Sequence, residues 1–397
     1  MFVLPSAKKG NRMKITIQKS ALMSKLTPAM GTVSNKNTIT SIEGVLIETL
    51  DSGDIQISTY DMNKGIRAII PAVSIEEEGK YIVNAQRFYQ TVKVLPEDDI
   101  VIEVSENLNC TVSSGKASFS MFAMKGADFP TFPELETDKG FEIDAEILRK
   151  MISKVQHSVA EGDSRPMLCG AFVKVMRDFV ELVSCDSYTL SKCSYKCDVN
   201  FQNGIADSNY SFIIPGHALG EICKILAEGE EGKVKINLSR KHAIFKKGDI
   251  ILFTRTIDSD YIDYNKLVPV DNTIFITVER ERLISSLERA NLIAEEKIQG
   301  SGKSFVKLIC EGQYLNLSSS SVNGRVFDEM DCVHEGDNIE IGFNCRYLLN
   351  SVRASEGENI KINLKGATQA MTIEPVEKDE KFSFFYMVLP IRMNNEK

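Results

Sequence analysis

The side chains from which an enzyme would be built are present in this chain but not gathered. Nine cysteines and four histidines occur in 397 residues. None of the cysteines stands in a C-x-x-C pair, and the closest spacing is Cys193 to Cys197. A cysteine nucleophile needs a histidine base and an acid to orient it. His157, His217, His242 and His334 are scattered without such neighbours and without metal-ligand spacing. Cys185 and Cys193 read as small hydrophobes on strands. The run Gly300-Ser301-Gly302-Lys303-Ser304 ends like a phosphate loop, but the position that must be its first glycine is Lys297, and the run leaves a predicted helix instead of a strand. It reads as a surface turn. No catalytic constellation, cofactor or metal is expected, and the chain reads as non-catalytic.

Composition narrows the class. A length of 397 residues suits two to four domains, and 43% hydrophobic with 26% charged residues is ordinary for a globular protein. No apolar run approaches the roughly 18 residues that would cross a bilayer, so no membrane partner is expected. Residues Met1 to Arg12 lack the apolar core of an export signal and read as an extension before Met13. An odd cysteine count without an export signal predicts reduced thiols and a cytoplasmic location.

Positioning elements recur along the chain. Ile17-Gln18-Lys19-Ser20-Ala21-Leu22, Ile143-Asp144-Ala145-Glu146-Ile147-Leu148 and Val278-Glu279-Arg280-Glu281-Arg282-Leu283 each open an amphipathic helix. The next inward positions are Leu26, Ile152 and Leu287. A second helix follows in each copy, opened by Val83-Asn84-Ala85, Ile214-Pro215-Gly216 and Phe343-Asn344-Cys345, and each gives way to a polar turn and an alternating strand. The period is domain-sized. The fold class predicted is α+β: three homologous domains, each with two helices on one side of a largely antiparallel sheet. The expected domains are 13–137, 138–270 and 271–397, with boundaries near Glu134 to Lys139 and Pro269 to Asn272, where apolar periodicity lapses.

Charge is unevenly shared among these elements. The six predicted helices (19–30, 84–94, 145–158, 216–226, 280–293, 344–353) carry about +9 and leave about −17 for the rest of a chain whose total is −8. Lys19, Lys25, Arg87, Lys93, Arg149, Lys150, Lys154, Arg346 and Arg353 contribute. Basic helical faces are the footprint of a nucleic-acid backbone, although an acidic total argues against a protein that grips DNA by bulk charge. The tail from Phe382 to Met393 is a strand that stops at Pro390 and leaves Ile391 and Met393 without a following element to cover them, either a last core strand or an exposed partner patch.

From Met13 to Met393 the chain resembles the bacterial sliding clamps, the beta subunits of DNA polymerase III. The resemblance is carried by Ser114-Gly115-Lys116 leading to Phe119, Ala127-Asp128-Phe129-Pro130, Asp263-Tyr264 with Val268-Pro269, Ile341-Gly342-Phe343-Asn344 with Tyr347, and the Met387 to Met393 terminus. It implies a head-to-tail homodimer whose domains close into a ring, each chain forming half, around double-stranded DNA. Such a ring slides without sequence specificity and acts as a processivity factor. Its implied partners are the DNA polymerase III catalytic subunit, the clamp loader, and other polymerases and repair proteins that carry short clamp-binding peptides. Interface positions implied by the resemblance are Phe119 and Met121 with Leu292 and Ile293. Lys36 and Arg165 align with DNA-touching loops, joining Arg87, Arg149, Lys150 and Lys154 from the helices as implied DNA contacts. The implied peptide pocket comprises Leu168, Cys185, Ser187, Tyr188, Thr189, Leu190, Ile262, Lys266, Leu267, Asn344, Tyr347, Met387, Leu389, Pro390, Ile391, Arg392 and Met393. Two departures bear on peptide preference: the family's best-known members have Gly-His-Arg where this chain has Ser187-Tyr188-Thr189, and a proline where it has Ile262. The competing reading from the repeats alone is a cytosolic scaffold that binds peptides and never encircles DNA.

Overall fold

The computed structural model describes residues 12–34, 40–96, 98–133, 140–199, 201, 210–228, 231–239, 241–294, 305–321 and 324–393. Lys36, the 300–304 run, the expected boundary at 134–139, residues 394–397 and nearly all of the N-terminal extension lie outside them.

Six α-helices form among the described residues: α1 (Lys19–Ala29), α2 (Ala85–Val94), α3 (Ala145–Val155), α4 (Gly216–Ala227), α5 (Arg280–Ala294) and α6 (Cys345–Ala354). Each starts within one residue of its expected position. The reason is local, because each follows directly on a strand and several are opened by a side-chain cap. Asn84 Oδ1 accepts from Arg87 N, Asn344 Oδ1 accepts from Arg346 N and Tyr347 N, and Asp144 Oδ1 accepts from Glu146 N and Ile147 N. The segment expected to be strand from Met167 begins instead with a single 3-10 turn, Pro166–Cys169, and the strand runs Gly170–Val175. Pro166 at the first position of that turn has its φ preset for it.

The chain divides into two compact units. The first comprises Met1–Arg149, Phe201–Ile205 and His217–Thr256. Its 13-stranded sheet is antiparallel at every pairing and carries Ile250–Arg255 beside Lys64–Pro71. That junction needs Gly65, because a Cβ there would lie 2.6 Å from the Phe253 ring. Tyr60, Phe129, Phe132 and Phe253 close over it, and the Arg67 guanidinium sits 4.0 Å from the Phe132 ring centre. α1 and α2 pack together on this sheet.

The second unit comprises Lys150–Asn200, Ala206–Gly216 and Ile257–Lys397 and holds a 12-stranded antiparallel sheet. Its central event is the pairing of Phe382–Val388 with Thr189–Lys196, which brings the end of the chain against residues nearly two hundred positions earlier in sequence. α5 and α6 pack together in this unit. The tail strand is thus a core element as far as Val388, with Tyr386 and Val388 fully buried.

Candidate functional site

The residues expected to line a pocket are drawn together in the second unit by two strand ends. The turn between strands Phe179–Cys185 and Thr189–Lys196 is shaped by Asp186, whose Oδ1 accepts from Tyr188 N at 2.9 Å and Thr189 N at 2.6 Å. Ser187 inside it has φ of 78°, a left-handed conformation seldom adopted by residues other than glycine. Its Oγ accepts from Arg165 Nη2 at 2.5 Å, and Arg165 is itself held through Nε and Nη2 by the Asp163 carboxylate, both at 2.9 Å. That grip holds the Asp163 carboxyl down at about 2.

The chain end runs beside this turn. Leu389 N donates to Tyr188 O at 2.8 Å, and Ile391 N donates to Gly342 O at 2.8 Å. Met393 packs over Gly342, where a Cβ would come within 3.0 Å of its Cγ. The Tyr188 ring lies on the Tyr347 ring, with centroids 5.5 Å apart and planes 16° from parallel. Below, Leu168, Cys185, Leu190 and Met387 are buried in one apolar cluster with Tyr264, against which Ile262 packs. Tyr188, Leu267, Leu389 and Arg392 are exposed at the rim, and Lys266 pairs with Asp263 at 2.8 Å. Asn344 caps the helix that carries Tyr347. These residues form a buried apolar cluster edged by a stacked tyrosine pair and by exposed cationic side chains.

Two polar systems support the floor. Glu181 accepts from Tyr264 Oη at 2.5 Å and pairs with Lys192 at 2.9 Å. Burial pushes the Glu181 carboxyl up, but hydrogen bonds from Tyr264, Lys192 and Ser194 outweigh it and leave the group below its usual range. Burial and then Glu181 push Tyr264 far up, so it stays a neutral donor. Separately, Thr189 Oγ1 donates to Ser158 Oγ at 2.9 Å, Ser158 Oγ bonds Ser191 Oγ at 2.7 Å, and Ser191 reaches His157 Nε2 at 3.1 Å. Arg165, Asp163 and Gly342 were not expected at the pocket. Arg165 was placed by sequence with the DNA-touching loops and Gly342 within the Ile341 to Asn344 signature, whereas Asp163 was not singled out for any role.

The helical cations divide into two groups. Lys19 is buried and donates to Leu95 O at 2.6 Å, at the C-terminus of α2. Lys247 donates to Leu226 O and Glu228 O, both at 2.6 Å, at the end of α4. Arg280 donates to Arg353 O at 3.2 Å and Lys154 to Ala354 O at 2.6 Å, at the end of α6. Every second helix therefore has a cation on its last carbonyls, where the helix dipole is negative. This corrects one expectation: Lys154 is only 5% exposed and further tied to Glu356 at 2.8 Å, so it is a structural cation and cannot face a phosphate. Lys150 shares Glu356 at 2.9 Å, Arg149 pairs with Glu146, and Arg353 pairs with Glu288. Those pairs are at the surface and hold the charges loosely. Arg87, with Lys93 and Arg346, is exposed.

Each unit also has a strand that changes partner along its length. Ala117–Lys125 pairs with Asn109–Ser114 along 117–122 and with Tyr81–Val83 along 123–125. Arg325–Glu335 pairs with Tyr314–Ser320 along 325–331 and with Phe275–Val278 along 332–335. Among the described residues, each half therefore has a partner on one side only. Phe119 is exposed on the first half, whereas Met121 is buried in its own unit and so cannot lead a contact; Phe122, not singled out from sequence, is 86% exposed. On the 325–331 part of the other strand Phe327 is 68% exposed; on α5 Leu292 is 74% exposed and Ile293 is half-buried beside Gly324. Among the described residues no cluster of His, Cys, Asp or Glu could hold a metal, and no helix is long and apolar enough to cross a membrane.

Comparison with known proteins agrees with this architecture. Three consecutive segments match the DNA polymerase III beta subunit: residues 13–133 its N-terminal domain, 142–263 its central domain and 265–392 its C-terminal domain. The chain is 28% identical over 390 residues to the beta sliding clamp of Bacillus subtilis (strain 168), covering 96% of this chain and 100% of the relative. The crystal structure of the DNA polymerase sliding clamp from Bacillus subtilis superposes with a TM-score of 0.86 at 26% identity, over 96% of this chain and 100% of that one. The Pseudomonas aeruginosa sliding clamp bound to griselimycin shares the fold, with a TM-score of 0.86 at 23% identity and the same coverage. A thrice-repeated helix pair on antiparallel sheet, matched over nearly its whole length, places the chain in the DNA polymerase III beta subunit family, the bacterial sliding clamps.

Proposed function

We propose that two copies of this chain close head to tail into a ring around duplex DNA, and that the ring tethers a polymerase and other replication and repair proteins through the cleft beside Tyr188. Family membership supports the processivity role. The observation that carries the ring is the pair of half-open strand edges at 117–122 and 325–331, each bearing an exposed phenylalanine. An open edge with exposed apolar side chains is a template for strand addition. One edge of each kind per chain gives a heterologous contact that closes if the rotation closes. Arg87, Arg149 and Lys150, with Lys36 and Arg165 from the loops, then meet phosphates through water and counterions. Such contacts carry no sequence information, so sliding is unopposed. The chain itself supplies no chemistry, and it acts in the cytoplasm with a clamp loader that opens the ring.

Sedimentation equilibrium tests the closure. The wild-type protein is expected at twice the 44.3 kDa chain mass. Phe122→Asp and Phe327→Asp are each expected to yield single chains with unchanged circular dichroism and no salt-resistant retention on circular DNA. A wild-type protein at the mass of one chain refutes the ring.

A further inference from the structure

We propose that Arg165 is a positioning residue of the peptide cleft: acting through Ser187, it locks the 185–189 turn so that Tyr188 stays laid on Tyr347. The consequence for partners rests on the reading of that cleft as a peptide site, whereas the brace itself does not.

The argument begins with Ser187. Its φ of 78° crowds a Cβ against the backbone, so a serine holds this conformation only where its surroundings over-determine it. Asp186 supplies one constraint by accepting from the two following amides. Arg165 supplies the other through its 2.5 Å bond to Ser187 Oγ. The guanidinium is in turn fixed before it reaches Ser187. Asp163 accepts from Arg165 N at 2.8 Å and from Nε and Nη2 at 2.9 Å. A planar fork already held at two points loses little further freedom on binding a third. A glycine at 187, as in the family's best-known members, would reach positive φ freely and could not receive this bond. The turn also carries the Tyr188 carbonyl on which Leu389 N is hung, so its position sets two walls of the cleft at once.

The chain contains no tryptophan, so Tyr188→Trp introduces one indole as a reporter of the rim. In that background, Arg165→Ala is expected to raise acrylamide quenching of the indole about twofold or more. Arg165→Lys, which keeps the charge but not the fork, is expected to do the same. With Ser187→Gly also present, Arg165→Ala is expected to add nothing. Equal effects in the serine and glycine backgrounds, or none in either, overturn the proposal. The second arm measures griselimycin binding without the indole: Arg165→Ala is expected to weaken it roughly three- to tenfold with serine at 187 and not with glycine. If the wild-type chain fails to bind griselimycin, the peptide-site reading falls and the quenching arm still decides the brace. Binding that Arg165→Ala leaves unchanged overturns the positioning role alone.

Discussion

Replacing Lys154 by methionine separates a structural cation from a DNA-facing one. The Lys154 ammonium donates to Ala354 O at 2.6 Å, pairs with Glu356 at 2.8 Å and lies 4.6 Å from the Phe384 ring centre. Loss of a charge-assisted hydrogen bond removes about 1.5–3 kcal/mol, and the ring contact adds about 0.5–1 kcal/mol. Three features reduce that sum. Ala354 O keeps the Tyr386 hydroxyl at 2.6 Å, and Glu356 keeps Lys150 at 2.9 Å, so neither is orphaned. Burial is the largest influence on Lys154 and lowers its pKa, so removing the ammonium also recovers desolvation energy. Methionine retains most of the stem packing. The expected net loss is ~1–2 kcal/mol by urea unfolding, against ~0–1 kcal/mol for the half-exposed Lys150→Met. The salt dependence of DNA binding is expected to be unchanged in Lys154→Met, while Arg87→Ala lowers the slope by roughly 0.9 if it meets one phosphate. A Lys154→Met protein as stable as wild type, or one with a reduced salt slope, would refute the assignment.

Burial and then the Lys154 charge bring His157 down to about 4 from 6.5, so the unfolded chain binds the extra proton first as pH falls. Stability is therefore expected to drop by about 3 kcal/mol between roughly pH 6.5 and 4 from this group, and His157→Gln to flatten that part of the urea-unfolding profile. Deleting residues 393–397 removes the Met393 side chain that covers Gly342 and is expected to weaken griselimycin binding about fivefold by calorimetry while leaving the sedimenting mass at two chains. Unchanged affinity would contradict the position of the cleft.

Helix placement was legible in the sequence because it is decided locally. The apolar spacing of Leu148, Met151, Ile152 and Val155, and the caps at Asn84, Asp144 and Asn344, sit within a few residues of the elements they specify. What a cation does was not legible. Lys19 and Lys25 look alike in the chain, yet one is buried on the last carbonyls of α2 and the other is partly exposed. That distinction depends on a residue more than seventy positions away. The pairing of Phe382–Val388 with Thr189–Lys196 was likewise invisible to periodicity, which reports a strand but not its neighbour. The brace on Ser187 needed three side chains from two loops, none remarkable in isolation. Met121 and Phe122 show the opposite limit: strand alternation put Phe119 and Met121 on one face, yet packing buries Met121 and leaves Phe119 exposed, while Phe122 on the other face is more exposed still.

The proposed ring is tested most directly by topology. Protein loaded by a bacterial clamp loader onto a nicked circle is expected to survive gel filtration in high salt and to be lost when a restriction cut makes free ends. Blocking those ends with bound protein before the salt wash should restore retention. Release that is indifferent to cutting and to blocked ends would contradict encirclement and favour a peptide-binding scaffold.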